Sequence, residues 1–275
     1  MATGSAKGRT RGCALFFFQA TGRLPALLLL SLLLLPGSGA AAIAGCGPER
    51  IDETVEVKRV YDGDTVELED GRRLRLIGLN TPELGRDGKA PEPLAVAARD
   101  ALRQLLDESP RIGLRYDRER RDRYGRTLAH LFLADRRSVN AWLIRQGYAA
   151  VVVVPPNVWH QACYQRSEAL ARRQGRGIWR LDYFRPLAAD SLQGITGFRF
   201  IRGRVAQVGE SRRSIWLDLE GGAALRIARK DLVYFPDFDS GRYRGRRIVA
   251  RGWIYRYRGR PTLQIRHPYS LRLQP

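Results

Sequence analysis

At 275 residues the chain has room for one large or two ordinary domains, and with 44% hydrophobic residues it can build real cores, which excludes a largely disordered chain. Its formal net charge of +20 points to a polyanionic partner, nucleic acid or an anionic membrane surface. Arginine outnumbers lysine 44 to 4, a bias that codon habit also produces, so position says more than the total: residues 46–194 carry 26 basic against 22 acidic side chains, residues 195–275 carry 18 against 6.

The chain opens with Lys7, Arg9, Arg11 and Arg23 and no acid, then a leucine-rich run over 24–35, then Pro36-Gly37-Ser38-Gly39 and small residues. That is the order of a secretory signal peptide over 1–45, and it predicts export to a periplasmic or extracellular compartment. Ala42-Ile43-Ala44 suits a signal peptidase, whereas Ile43-Ala44-Gly45-Cys46 resembles a lipobox in which Cys46 would carry a lipid anchor. An uncleaved anchor is a third outcome, opposed by Pro25, Pro36 and the glycines. With Cys13 inside the signal, the exported chain keeps Cys46 and Cys163, which in an oxidising compartment implies one bridge that lipidation would forbid.

Alternation over 54–61, 65–69 and 72–79 predicts three strands. Asp70-Gly71 reads as a two-residue hairpin turn, which sets Arg75 opposite Val66 and so on the face of Asp64. Asn80-Thr81-Pro82-Glu83 leaves the strand extended, as a residue before proline prefers, and returns oxygens to the same edge. Asp64, Asn80 and the Thr81 carbonyl are oxygen donors of the kind calcium takes, and Arg75 is the residue type that grips phosphate through two hydrogen bonds. Residues 83–92 read as a mobile loop, and apolar spacing from Pro93 predicts a helix closed by Pro110.

A strand over 112–116 and a charged run follow, and Tyr124-Gly125-Arg126 delivers a second arginine at the mouth of a strand over 127–133. Ser138 caps a helix through Gln146 that Gly147 ends, residues 151–154 form a short strand, and 159–174 form a third helix carrying Cys163. Trp142 and Trp179 read as core. His130, His160 and His267 have no ligand spacing, which argues against zinc or histidine chemistry.

Residues 186–197 read as a linker between a domain over 46–185 and an all-β domain over 198–275, with strands at 200–208, 214–219, 223–227, 247–255 and 262–265. Its hairpin Tyr255-Arg256-Tyr257-Arg258 interleaves rings that stack bases with guanidinium groups that hold phosphates; the plainer reading is a basic packing domain. The segregated charge predicts that removing 195–275 weakens substrate binding but leaves cleavage chemistry.

Five motifs in order, Asp-Gly-Asp-Thr (62–65), Arg-Leu-Ile-Gly-Leu-Asn-Thr-Pro-Glu (75–83), Asp-Arg-Tyr-Gly-Arg (122–126), Val-Asn-Ala-Trp-Leu-Ile-Arg-Gln-Gly (139–147) and Gly-Ile-Trp (177–179), resemble the staphylococcal nuclease family. The resemblance implies an α+β chain, mainly β: a five-stranded OB-type barrel with three helices, here followed by a second, smaller OB-like domain. It also implies a calcium-dependent phosphodiesterase acting on DNA or RNA and leaving 3′-phosphates. Asp64, Asn80 and Thr81 would hold the metal with Asp62 behind them, Glu83 would serve the attacking water, Arg75 and Arg126 would clamp the phosphate, and Arg123 and Tyr124 would touch substrate. A monomer is expected, with no membrane partner beyond the signal or the lipid anchor. Two features depart from the family: Asn80 stands where it usually has aspartate, and Val153 and Pro155 stand where it has nucleotide-stacking tyrosines. The alternative is an exported nucleic-acid-binding protein whose nuclease site is weak or has decayed.

Overall fold

The computed structural model describes residues 46–85 and 88–275, so the signal, lipobox and anchor readings of 1–45 lie outside the described residues. Among those described, no helix is long and apolar enough to cross a membrane.

The first half is a closed barrel of β1 (Glu53–Asp62), β2 (Thr65–Leu68), β3 (Arg73–Leu76), β5 (Arg111–Arg115) and β6 (Thr127–Phe132) in the order β1-β2-β3-β6-β5. A two-stranded sheet of β4 (Leu79–Asn80) and β7 (Ala150–Val151) sits apart from it. Helices α1 (Ala95–Asp107), α2 (Val139–Arg145) and α3 (Gln161–Arg173) complete this half. Ser138 caps α2 by accepting the Ala141 N–H at 3.1 Å, and Gly147 follows with φ 79°, so both ends of the helix are as the sequence predicts. Leu68, Leu74, Leu76, Ile112, Leu114 and Leu131 are fully enclosed in the core, because strand alternation turns one face of each strand inward. Cys46 and Cys163 are joined in a disulfide across 117 residues, tying the chain entering β1 to α3.

Two local details differ from the sequence reading. Leu68 and Arg72 close the β2–β3 turn around Glu69-Asp70-Gly71, a three-residue loop with Gly71 at φ 84°, so the register places Arg75 opposite Thr65 and Leu74 opposite Val66. The strand expected over 72–79 breaks at Gly78 (φ 83°), where an added Cβ would come within 2.6 Å of the Tyr164 ring, and the chain then pairs with β7.

The second half holds β8 (Leu187–Ala188), β9 (Gly197–Glu210), β10 (Ser214–Leu219), β11 (Ala224–Ala228), β12 (Arg247–Tyr257), β13 (Arg260–Ile265) and β14 (Leu271–Leu273). The sheet order β14-β12-β13-β11-β10-β9-β8, with β12 also pairing β9, closes a second five-stranded barrel flanked by β8 and β14. Residues 186–197 are built into this half: β8 pairs with β9, and Ala189 and Leu192 lie in the second core. Small and polar composition gave that stretch the look of a linker, but its apolar side chains are covered.

The two halves share a third apolar cluster, in which Ala150, Val152 and Ile178 from the first meet Phe198 and Phe200 from the second. Beside it Glu168 of α3, with none of its surface exposed, accepts two hydrogen bonds from Arg251 Nη1 at 2.7 and 2.8 Å and one from the Tyr269 hydroxyl. A carboxylate that deep is tolerated because every approach to it is a donor.

Candidate active site

The two-residue turn Gly63-Asp64 joins β1 to β2 and presses against Thr81, where an added Cβ on Gly63 would lie 2.8 Å from Thr81 Cγ2. This close approach lets the Asp64 carboxylate, 5% exposed, accept both the Thr81 N–H at 3.0 Å and the Thr81 hydroxyl at 2.9 Å. Its other oxygen is ion-paired with Arg75 and accepts from the Thr65 hydroxyl at 3.2 Å. Asp62 supports the turn from behind, accepting the Asp64 N–H at 3.0 Å.

Arg75 reaches Asp64 although it pairs with Thr65, because Asp64 lies in the turn and outside the alternation of β2. Its guanidinium also donates to the Asp64 carbonyl at 3.4 Å and to Asn80 Oδ1 at 3.2 Å. Burial pushes Arg75 down to about 10, opposed by the charge of Asp62, reinforced by Arg126 and opposed again by Glu83 and Asp122. The group therefore stays cationic at neutral pH.

Arg126 is aimed by Asp122. One Asp122 oxygen accepts the backbone N–H groups of Tyr124 and Arg126 at 2.9 and 3.0 Å, and the other accepts Arg126 Nε at 2.7 Å. Burial alone would raise the Asp122 pKa, but these bonds hold it below the usual carboxylate value. Asp122 is a positioning residue that the sequence reading passed over as part of a charged run. The aspartate-turn pattern, a side chain bonding the backbone two and four residues on, was the available signal. Tyr124 is 68% exposed, and Arg123 donates to its hydroxyl at 2.5 Å, so both face solvent beside the site. Glu83 is exposed, and its peptide is gripped on both sides by Glu92: its N–H donates to Glu92 Oε2 at 3.0 Å and its carbonyl accepts the Glu92 N–H at 2.8 Å.

The oxygens proposed for calcium are close together. Asp64 Oδ1 and Asn80 Oδ1 both face the Arg75 guanidinium, and the Thr81 carbonyl accepts from Asn80 Nδ2 at 3.0 Å. The described residues contain no cluster of three or more His, Cys, Asp or Glu side chains suited to a metal. One carboxylate, one amide oxygen and one carbonyl nevertheless form an all-oxygen donor set that fits a hard cation, with less charge than two carboxylates would supply.

A sequence profile described as staphylococcal nuclease homologue matches residues 73–181. The chain is 37% identical over 130 residues to the thermonuclease of Staphylococcus intermedius, covering 46% of this chain and 76% of that protein. It is 32% identical over 157 residues to the thermonuclease of Staphylococcus hyicus, covering 56% of this chain and 91% of that protein. The chain belongs to the staphylococcal nuclease family. As a nuclease of that family it is a hydrolase of ester bonds. Endonuclease YncB of Bacillus subtilis is a further relative, 30% identical over 130 residues that cover 46% of this chain and 61% of YncB. The profile match lies on the first half of the chain.

In the second barrel the hairpin residues separate. The Tyr255 hydroxyl is buried without a hydrogen-bond partner, and Arg256 is engaged with the Leu192 carbonyl at 3.1 Å. Tyr257 is 43% exposed and Arg258 is exposed, and the Tyr257 ring lies 5.1 Å from that of Trp216. Register places Trp216 beside Arg226, so the outward patch is Trp216, Arg226, Tyr257 and Arg258. Period-two alternation along β10 was the signal for Trp216.

Proposed function

We propose that the protein is an exported, calcium-dependent phosphodiesterase that hydrolyses DNA or RNA and leaves 3′-phosphates. The observation that carries this is the grouping of Asp64, Asn80 and Thr81 on the Arg75 guanidinium, with Arg126 held in place by Asp122. Calcium, held by Asp64, Asn80 Oδ1 and the Thr81 carbonyl, would supply positive charge to a phosphoryl oxygen. Arg75 and Arg126 donate hydrogen bonds to the other phosphoryl oxygens and tighten as charge accumulates there. Glu83 accepts a proton from the water whose oxygen bonds to phosphorus, while the P–O5′ bond breaks and the departing oxygen takes a proton from solvent water, leaving a 3′-phosphate and a 5′-hydroxyl. Tyr124 and Arg123 offer an exposed ring and a cation to the neighbouring nucleotide. The Cys46–Cys163 disulfide supports export to an oxidising compartment. The second barrel contributes a basic, aromatic patch suited to single-stranded nucleic acid.

Asn80 favours one other reading, a nucleic-acid-binding protein whose metal site is too weak to work. The deciding experiment is digestion of plasmid DNA and a structured RNA with calcium, with a chelator control, followed by end analysis. Calcium-dependent cleavage whose 3′ ends block polymerase extension until phosphatase treatment supports the proposal. Binding without cleavage at millimolar calcium supports the other reading.

A further inference from the structure

The second barrel reaches the catalytic loop through a chain of three side chains. Arg199, near the start of β9, is mostly enclosed, and its Nη1 donates to Glu92 Oε1 at 2.7 Å and to the Phe198 carbonyl at 2.7 Å. Tyr183 donates its hydroxyl to the same Glu92 oxygen at 2.9 Å, and Arg199 Nη2 donates to that hydroxyl. The guanidinium carbon stands 4.7 Å from the centre of the Tyr183 ring, so the arginine is held by a stack as well as by hydrogen bonds. Glu92 Oε2, the opposite oxygen, accepts the Glu83 N–H, while the Glu92 N–H donates to the Glu83 carbonyl.

These contacts divide the work of one carboxylate. Oε1 is fixed by the second barrel, and fixing it aims Oε2 at the peptide of Glu83. A glutamate without such an anchor has three rotatable bonds and many ways to leave the Glu83 amide. The side chain of Glu83 starts from the backbone atoms that Glu92 grips, so a shift there moves the carboxylate that must meet the attacking water.

We propose that Arg199 is a positioning residue for hydrolysis: acting through Glu92, it fixes the backbone of Glu83, and the second barrel thereby completes the catalytic geometry of the first. This rests on the assignment of Glu83 as the base. It adds a role that a separate nucleic-acid-binding appendage would not have.

The test uses the full-length, disulfide-bonded protein and a defined single-stranded oligonucleotide, with kcat and KM measured for Arg199→Met, Tyr183→Phe, Glu83→Gln and the Glu83→Gln/Arg199→Met pair. A misplacement of catalytic groups by about 1 Å costs up to ~10²-fold, so Arg199→Met is expected to lower kcat by about tenfold while KM moves by less than about twofold. Arg199→Lys, which keeps the charge on a shorter reach, should recover part of the loss. In the Glu83→Gln background the Arg199→Met change should cost nothing further, because the carboxylate it positions is gone. Should Arg199→Met fail to fold by circular dichroism, Tyr183→Phe carries the same comparison with a smaller fall in kcat. A raised KM with unchanged kcat would make Arg199 a phosphate contact and overturn the proposal, as would a full additional loss in the Glu83→Gln background. A Glu83→Gln variant as active as the parent would overturn the assignment of the base itself, a result distinct from either of those.

Discussion

The two barrels close in the same way and bury different things. In the first, the β1–β2 turn and the exit from β3 enclose Asp62, Asp64, Asn80 and Thr81 beside Arg75. In the second, a hydrophobic cluster runs from Ala189 to Leu271, and its one buried carboxylate among the described residues, Asp231, faces Arg266 at 3.7 Å. Its arginines are spent on the outside and on the junction. Buried charged groups cost several kcal/mol unless each is partnered, and the first barrel gathers Asp62, Asp64 and Arg75 at one turn where the second, among the described residues, holds only the Asp231–Arg266 pair. The shared closure is therefore no guide to role; the contents of the mouth are.

The sharpest way to break this comparison is to remove the second barrel. Charge segregation alone predicts a fragment that still cleaves, but the structure predicts that residues 46–194 do not fold stably. The deletion uncovers Ala150, Val152 and Ile178 and strips Glu168 of Arg251 and Tyr269. Breaking a buried ion pair by removing one partner typically costs about 3–5 kcal/mol. Arg251→Leu in the full chain is expected to lower unfolding stability by that amount in a urea titration. A fragment with the parent's turnover and melting temperature would return the second barrel to the status of an appendage.

The next effect separates chemistry from binding. Glu83→Gln and Arg126→Ala are expected to lower turnover by about 10² to 10³, the scale set by losing one transition-state contact, with unfolding curves unchanged. Tyr257→Ala and Arg258→Ala are expected to leave turnover in place and weaken binding, the arginine change reducing the salt slope of binding by about one. Equal losses of turnover from both pairs would erase the division of labour between the barrels.

Which of these features the sequence discloses depends on how far apart the interacting residues lie. Ser138, Gly147 and the strands of both barrels obey local rules, and they stand within a few residues of the places that alternation and capping predict. The β2–β3 register is off by one because Asp70-Gly71 is read as the whole loop, whereas Glu69 joins it; Arg75 nonetheless meets Asp64, since a residue in a turn is free of the strand's alternation. Asp122 is a local signal submerged in neighbouring charge. The pairs Arg199–Glu92 and Arg251–Glu168 join residues 107 and 83 positions apart, and nothing in either neighbourhood names its partner.

The smallest predicted effect concerns the most local change, Asn80→Asp. Asn80 is 5% exposed; its Oδ1 accepts from Arg75 at 3.2 Å and its Nδ2 donates to the Thr81 carbonyl at 3.0 Å. An aspartate keeps the first contact and strengthens it, loses the second, and so releases the Thr81 carbonyl while adding an anionic oxygen beside Asp64. Both changes favour a hard cation. Calcium affinity of the free protein should rise severalfold, and the calcium needed for half-maximal activity should fall from the ~10⁻⁴ to 10⁻³ M range typical of extracellular modules. Substrate, by contributing a phosphate oxygen, must raise calcium affinity by the same factor that calcium raises substrate affinity, and this coupling should shrink in the variant because the added carboxylate already supplies part of the missing charge. Without metal, the same carboxylate is an added buried charge that Arg75 only partly offsets, so the melting temperature in chelator should drop below the parent's. In calcium it should recover, giving a larger metal-dependent shift than the parent shows. Calorimetric titration and melting curves with and without calcium measure both effects. An unchanged or weaker calcium affinity would remove Asn80 from the ligand set and require the site to be redrawn around Asp62, Asp64 and Glu83.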